Sequence, residues 1–292
     1  MRRAFWIAGF VLLAAALLLT AHLTSTTLEF SRYNTGWNGT SLFFSGLDRH
    51  KVTDITDPTG LTPYENTTIL LIIAPEREPT GQETDAYRAF LERGNTILLA
   101  DDFGTGNTIL RGIGSRISIL PGNLSSLDRA YGDPYSVVVY NVTNVSPVQS
   151  LSAVVLNRAA PLEGGIPLLR TSFLSWTDTN GNERIDSDEA LGIFSVMAHE
   201  KIGEGEIIVL SDPSIFINSM QDVDEKYDNR KLIRNLVERE GSVLIDQMNS
   251  RTTGTEGLST ILHVIKTTLS TEILVIVVLL LIAAVAWKRK LV

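Results

Sequence analysis

Thr68 to Ala74 reads TILLIIA and Thr96 to Ala100 reads TILLA, with TGQETDAYRAFLER (Thr80 to Arg93) between them. Each short run is apolar without alternation, and the first stops at Pro75. Runs of this kind read as strands buried on both faces. The intervening segment has the marks of a helix. Thr80 stands at the N-cap with Glu83 three residues on, a capping-box pattern. Tyr87, Phe90 and Leu91 supply an apolar face, and Gly94 ends the helix. Strand, helix, strand in so short a span is a βαβ unit, which predicts a parallel sheet with a right-handed crossover.

Outward from this unit the pattern continues. An opening strand is expected near Leu28 to Phe30, a helix over Ser41 to Leu47 and a short helix over Asn107 to Gly112. Val137 to Tyr140 and Ala153 to Leu156 are strand candidates. Ile193 to Ala198 and Glu206 to Leu210 read as a hairpin around Gly203-Glu204-Gly205. Asp228 to Arg239 places Leu232, Ile233, Leu236 and Val237 on one helical face, and Ser242 to Ile245 is a final strand. No linker rich in Pro, Gly or Ser interrupts this stretch, so one α/β domain is expected over residues 25–250.

The ends differ. Ala4 to Leu23 is apolar behind Arg2 and Arg3, and Ile273 to Trp287 is apolar ahead of Lys288, Arg289 and Lys290. The first run is long enough for a hydrocarbon core of about 30 Å at about 1.5 Å per residue. A cleaved signal peptide is the rival reading, but the exit around Leu19 to Leu23 lacks an A-x-A frame. Lys and Arg flanks stay cytoplasmic. The expectation is therefore a two-pass cell-membrane protein: an anchor over 1–24, an extracytoplasmic domain over 25–250, and a juxtamembrane helix with a second anchor over 251–292. Sequons at Asn38, Asn66, Asn123, Asn141 and Asn144 fit an exported domain.

Composition narrows the chemistry. Setting aside the five basic tip residues leaves 20 Lys and Arg against 33 Asp and Glu, about −13 for the rest of the chain. So acidic a domain is a poor partner for nucleic acid or anionic lipid. The chain has no cysteine, which excludes thiol nucleophiles, thiolate zinc sites and iron–sulfur clusters.

The sharpest motif runs from Asp178 to Glu189, DTNGNERIDSDE. Asp178, Asn180, Asn182, Asp186 and Glu189 stand at positions 1, 3, 5, 9 and 12, with Arg184 offering a backbone carbonyl at position 7. That is the spacing of a calcium loop, in which alternate residues turn oxygens onto a cation wanting six to eight of them. The departure is Glu183 at position 6, where Gly is usual; Gly181 sits at position 4. A structural Ca²⁺ is expected, against the plainer reading of an acidic Asn/Gly turn that binds nothing.

Two further segments end buried strands, where open parallel sheets gather ligands. Asp101-Asp102-Phe103-Gly104-Thr105-Gly106-Asn107 lacks the third glycine of a dinucleotide fingerprint, since residue 109 is Ile109, and there is no GK[ST] for a P-loop. It reads as a glycine turn with an Asp cap or as part of a small-ligand pocket. Ser211 to Asn218 (SDPSIFIN) holds Asp212 and Ser214 but no G-x-S-x-G elbow. His199-Glu200 has no second histidine at zinc-protease spacing. Asp101, Asp102, Asn107, Asp212 and Ser214 are the candidate ligand-binding residues, and no catalytic constellation stands out.

Together YNTGWNGTS (Tyr33 to Ser41), ILLADDFGTGN (Ile97 to Asn107), VVLNRAAPL (Val154 to Leu162), SWTDTNGN (Ser175 to Asn182) and SDPSIFIN resemble the domain of unknown function 4350 family, best known from archaea and some bacteria. The resemblance implies a flavodoxin-like fold, similar to class I glutamine amidotransferases: a mainly parallel sheet with helices on both faces, flanked by N- and C-terminal transmembrane helices. It also implies an accessory role near MoxR-type ATPases and transglutaminase-like proteins. The amidotransferase likeness is one of fold, because those enzymes use a cysteine nucleophile. The functional expectation is a non-catalytic tethered domain that binds a partner protein or a surface glycan, as an accessory subunit of a membrane complex. The alternative is a hydrolase of carbohydrate or amide bonds using Asp101, Asp102 and Asp212 as acids and bases.

Overall fold

The computed structural model describes residues 26–47, 52–128, 131–238, 241–250 and 252–254. The chain divides into two compact units, Met1–Leu28 with Gly254–Val292, and Glu29–Thr253. In the first, the Leu28 amide donates to Thr26 Oγ1 at 3.2 Å. Every element named below belongs to the second.

In chain order the elements are α1 (Ser41–Gly46), β1 (Val52–Ile55), β2 (Thr68–Ile73), α2 (Gly81–Glu92), β3 (Thr96–Ala100), α3 (Gly106–Ile113), β4 (Ser118–Ile119), β5 (Asn123–Ser126), β6 (Ser136–Asn141), β7 (Ala153–Asn157), β8 (Leu162–Glu163), β9 (Ile166–Thr171), β10 (Ser175–Asp178), β11 (Ser195–Ile202), β12 (Gly205–Leu210), α4 (Asn218–Gln221), α5 (Asn229–Glu238) and β13 (Ser242–Asp246). Short 3-10 turns add Pro58–Leu61 and Pro213–Phe216.

One large sheet runs β1-β13-β2-β3-β12-β11-β9-β6-β7, with β8 and β4 attached beside β11, and β5 and β10 form a separate ribbon. β1, β13, β2, β3 and β12 are mutually parallel. From β12 onward every pairing is antiparallel, through β11, β9, β6 and β7. The sheet is thus mixed, which corrects the expected mainly parallel, flavodoxin-like and amidotransferase-like arrangement. The physical reason lies at Gly203, whose φ of 60° turns the chain straight back from β11 into β12. Strands β6 to β9 follow one another without a crossover helix, and β6 pairs antiparallel with both β7 and β9. No strand forms at Leu28 to Phe30; the first strand is β1, at an edge.

β2 and β3 are buried at every position, because helices cover both faces. Leu70, Ile72, Ile97, Leu99, Ile207 and Val209 pack with Tyr87, Phe90 and Leu91 of α2 and Ile109, Leu110 and Ile113 of α3. The alternate residues Ile69, Leu71, Ile73, Leu98, Ile208 and Leu210 face Phe43, Phe216, Leu232 and Leu236. The α2 capping box forms: Thr80 Oγ1 accepts from Glu83 N at 3.3 Å and Glu83 Oε2 accepts from Thr80 N at 2.7 Å.

The far edge of the sheet is closed by side chains that imitate a strand. Asn229, fully buried, accepts from Val155 N and donates to Val155 O, both at 2.9 Å. Asp228 Oδ2 accepts from Ser152 N at 2.6 Å, and Asp212 Oδ2 accepts from Asn157 N at 2.6 Å. The outward backbone of β7 therefore offers no open ladder to another chain.

Among the described residues no helix is long and apolar enough to cross a membrane. The 12-residue α2 covers about 18 Å, short of a hydrocarbon core of about 30 Å. The segments that carried the expectation of two spans, 4–23 and 273–287, lie outside the described residues. This finding corrects the expected flanking transmembrane helices, the two-pass cell-membrane placement and the extracytoplasmic setting.

Candidate functional site

The ends of β2, β3, β7 and β12 open into a cleft of about 410 Å³. Its lining includes Glu29, Trp37, Asp102, Phe103, Arg158 and Ser214. A larger hollow of about 680 Å³ lies against α1 and α5, lined by Leu42, Ile233 and Val237 and the arginines Arg230 and Arg234. Its buried polar group, Gln221, is already spent on the Ile215 carbonyl at 3.0 Å. The smaller cleft is the better site because polar groups and strand ends converge there.

The three aspartates at the cleft have different roles. Asp101 is 3% exposed, and its carboxylate accepts from Gly104 N at 3.0 Å and Gly106 N at 2.9 Å. Both positions require glycine, since a Cβ would stand 2.6 Å from an Asp101 carboxylate oxygen in either case. Asp101 is thus the cap of the turn into α3. Asp212 is fully buried below the cleft, with Oδ1 on Ser214 N at 2.7 Å and Oδ2 on the β7 edge. Burial pushes Asp212 up to about 6, against the pull of its backbone donors. Asp102 is half-buried and lines the cleft, with Oδ1 accepting from Phe103 N at 2.8 Å. Burial, then the neighbouring charges of Asp212 and Asp101, push it up to about 7.

Of the other candidates, Ser214 lines the cleft. Asn107 does not: it pairs with Ile119, donating to its carbonyl at 2.8 Å and accepting from its amide at 2.9 Å. A fourth strand-end carboxylate, Asp246, is sealed, accepting from Tyr87 Oη and Asn249 N, both at 2.8 Å.

The residue that sequence reasoning missed is Trp37. It is 68% exposed and lines the cleft from a loop locked underneath by Asn218. Asn218 Nδ2 donates to Gly36 O at 2.6 Å and Asn34 O at 3.2 Å, while Oδ1 accepts from Leu42 N at 2.9 Å. Ser219 N donates to Trp37 O at 3.0 Å. Gly39 is pressed so close that a Cβ would stand 1.9 Å from Asn34 O. The available signal was a lone aromatic among turn residues, Asn34-Thr-Gly-Trp37-Asn-Gly39. Backbone strain also gathers here: Phe30, Ala74 and Arg158 line the cleft with φ of 58°, 46° and 59°. Non-glycine residues hold this region at a cost of about 1–3 kcal/mol each, and such residues cluster at functional sites.

The calcium-loop residues lie in β10 and the turns after it. Asp178 is 1% exposed and takes Gly181 N at 2.7 Å on Oδ1, with Glu183 N and Tyr135 Oη on Oδ2, both at 2.8 Å. Asp186 Oδ2 accepts from Asn180 Nδ2 at 2.7 Å and Asn182 Nδ2 at 2.8 Å. Glu189 accepts from Thr179 N at 2.8 Å and Asp186 N at 3.2 Å, and the Arg184 amide donates to Asn182 Oδ1 at 2.8 Å. Glu183 adopts φ of 61°, so a residue other than glycine fills the left-handed position. Among the described residues no three His, Cys, Asp or Glu side chains are grouped to hold a metal.

No curated protein matches the chain in sequence. Among solved structures, it is similar to a β-galactosidase from Bacillus circulans sp. alkalophilus at 12% identity and a TM-score of 0.38, covering 62% of this chain and 23% of that one. It is similar also to a β-galactosidase from the Antarctic haloarchaeon Halorubrum lacusprofundi at 14% identity and a TM-score of 0.32, covering 60% and 22%. An exo-β-1,4-mannosidase from Opitutaceae bacterium strain TAV5 gives 10% identity, a TM-score of 0.32, and 59% and 25%. The chain spans about a quarter of the length of these enzymes or less, and likeness at such scores carries no argument about activity. The model of one family, described as Domain of unknown function (DUF4350), matches residues 32–237. That match takes in most of the chain and every residue of the cleft described above except Glu29 and Phe30, and the chain belongs to this family.

Proposed function

We propose that this chain is a non-catalytic binding domain that takes a glycan in the cleft at the ends of β2, β3, β7 and β12. The observation that carries the reading is Trp37, an exposed indole on a loop held rigid by Asn218 beside a polar cleft. A rigid aromatic face loses little entropy on binding and packs against the apolar face of a sugar ring, while polar groups below meet the hydroxyls. The hydrolase reading is the weaker one. It assigns the acids and bases to Asp101, Asp102 and Asp212, and of these Asp101 and Asp212 are both turned inward onto backbone amides. An accessory, non-enzymatic role agrees with the company of MoxR-type ATPases that the family resemblance implies.

The test is calorimetric titration of the full-length chain with a panel of neutral and charged oligosaccharides. Saturable binding lost in Trp37→Ala supports the proposal. Turnover of any member, abolished in Asp102→Asn, would replace it with the hydrolase.

A structural Ca²⁺ in the Asp178 to Glu189 loop is a separate proposal. The side-chain amides of Asn180 and Asn182 both gather on the Asp186 carboxylate, and this convergence of loop positions 3, 5 and 9 supports the reading.

A further inference from the structure

The cleft combines exposed ring faces with an excess of negative charge. Trp37 and Phe103, 68% and 58% exposed, both line it. Glu29, Asp101 and Asp102 line it too, with Asp212 directly beneath. Against these acids the lining holds one cation, Arg158, whose guanidinium sits over the Tyr135 ring at 4.7 Å. An aromatic face carries a negative quadrupole, so rings and carboxylates together attract a cation rather than an anion.

We propose that the glycan taken by this cleft is an amino sugar, its ammonium group seated against Asp102 and the Trp37 and Phe103 rings. The inference rests on the glycan reading above and narrows it to one chemical class. The electrostatics of Asp102 agree: it is held up to about 7 by burial and by Asp212 and Asp101. A bound ammonium brings the opposite charge that would let Asp102 ionise, so its proton passes to the solvent as the ligand binds. A neutral sugar offers no such exchange, and an acidic one meets repulsion.

The experiment compares glucosamine oligomers with N-acetylglucosamine oligomers of the same length, titrated into the full-length chain at about pH 6.5, where the amine is protonated. The amine form is expected to bind about tenfold more tightly, the size of a cation–π contact with a charge-assisted hydrogen bond, and to weaken with salt. Asp102→Asn should erase that preference, so that the two series bind with similar affinity, and Asp102→Glu should restore part of it. Trp37→Ala should weaken both series. Equal or tighter binding of the acetylated series would overturn the amino-sugar inference and leave the glycan reading standing. Binding of neither series, with other neutral glycans also silent, would overturn both.

Discussion

Truncating Asn229 tests how the sheet ends. Its side chain meets the outward amide and carbonyl of Val155 at 2.9 Å each and reaches the Met220 carbonyl at 3.3 Å, in a fully buried setting. In Asn229→Ala these backbone groups lose their partner with no water to replace it. A buried polar group left unsatisfied costs about 1–3 kcal/mol. Two strong bonds and one long one therefore predict a loss of about 3–5 kcal/mol, a large part of a typical domain's 5–15 kcal/mol. Asn229→Asp is the sharper control. Its shape is kept, but at neutral pH a carboxylate oxygen would face the Val155 and Met220 carbonyls, and burial raises its pKa. A raised acid contributes stability below its unfolded pKa and loses it as pH rises through the folded value, so this variant should recover on acidification while Asn229→Ala does not. Urea unfolding of the full-length chain, followed by far-ultraviolet circular dichroism, reads both. A loss under about 1 kcal/mol in Asn229→Ala with unchanged m-value, or a neutral Asn229→Asp at pH near 7, would refute the claim that this side chain closes the edge.

Three other outcomes follow from the same geometry. Asn218→Ala should cost about 2–4 kcal/mol, having removed the acceptor and donor that hold the Trp37 loop, and should broaden Trp37 side-chain resonances in nuclear magnetic resonance spectra; sharp, unshifted resonances would show that the loop is rigid without it. The pKa of Asp102 is raised to about 7, so its contribution is present below the unfolded value near 4 and is lost as pH climbs through about 7. Asp102→Asn should accordingly flatten the decline in thermal midpoint between about pH 4 and pH 7, and a parallel decline in both proteins would contradict the assignment. Added Ca²⁺ at about a hundred times its dissociation constant should stabilise the chain by about 2.7 kcal/mol, with the gain absent in Asp186→Ala; an unresponsive thermal midpoint in the parent protein would retire the metal.

Much of this architecture is legible along the chain. The all-apolar runs at Thr68 and Thr96 become β2 and β3, the Thr80–Glu83 pair becomes a capping box, and Gly203 turns one strand onto the next. These features are local: solvent partition and a few dihedral angles within one segment decide them. The absence of cysteine likewise settles by itself that no thiolate acts here.

What tertiary structure alone decided is pairing and partnership. An apolar run fits a parallel or an antiparallel neighbour equally well, so the antiparallel order β11-β9-β6-β7 beyond the Gly203 hairpin came from connections and not from composition. Asp101, Asp102 and Asp212 are the same residue type at similar strand ends, yet the carboxylates of Asp101 and Asp212 each took two backbone amides and that of Asp102 took one. The difference depends on which amides arrive from elsewhere, Asn157 for Asp212 and the Gly104 to Gly106 turn for Asp101. Trp37 became a fixed platform because Asn218, 182 residues from Gly36 in sequence, satisfies the backbone of its loop. A buried hydrogen bond draws on groups remote in sequence, and that is the information a linear reading lacks.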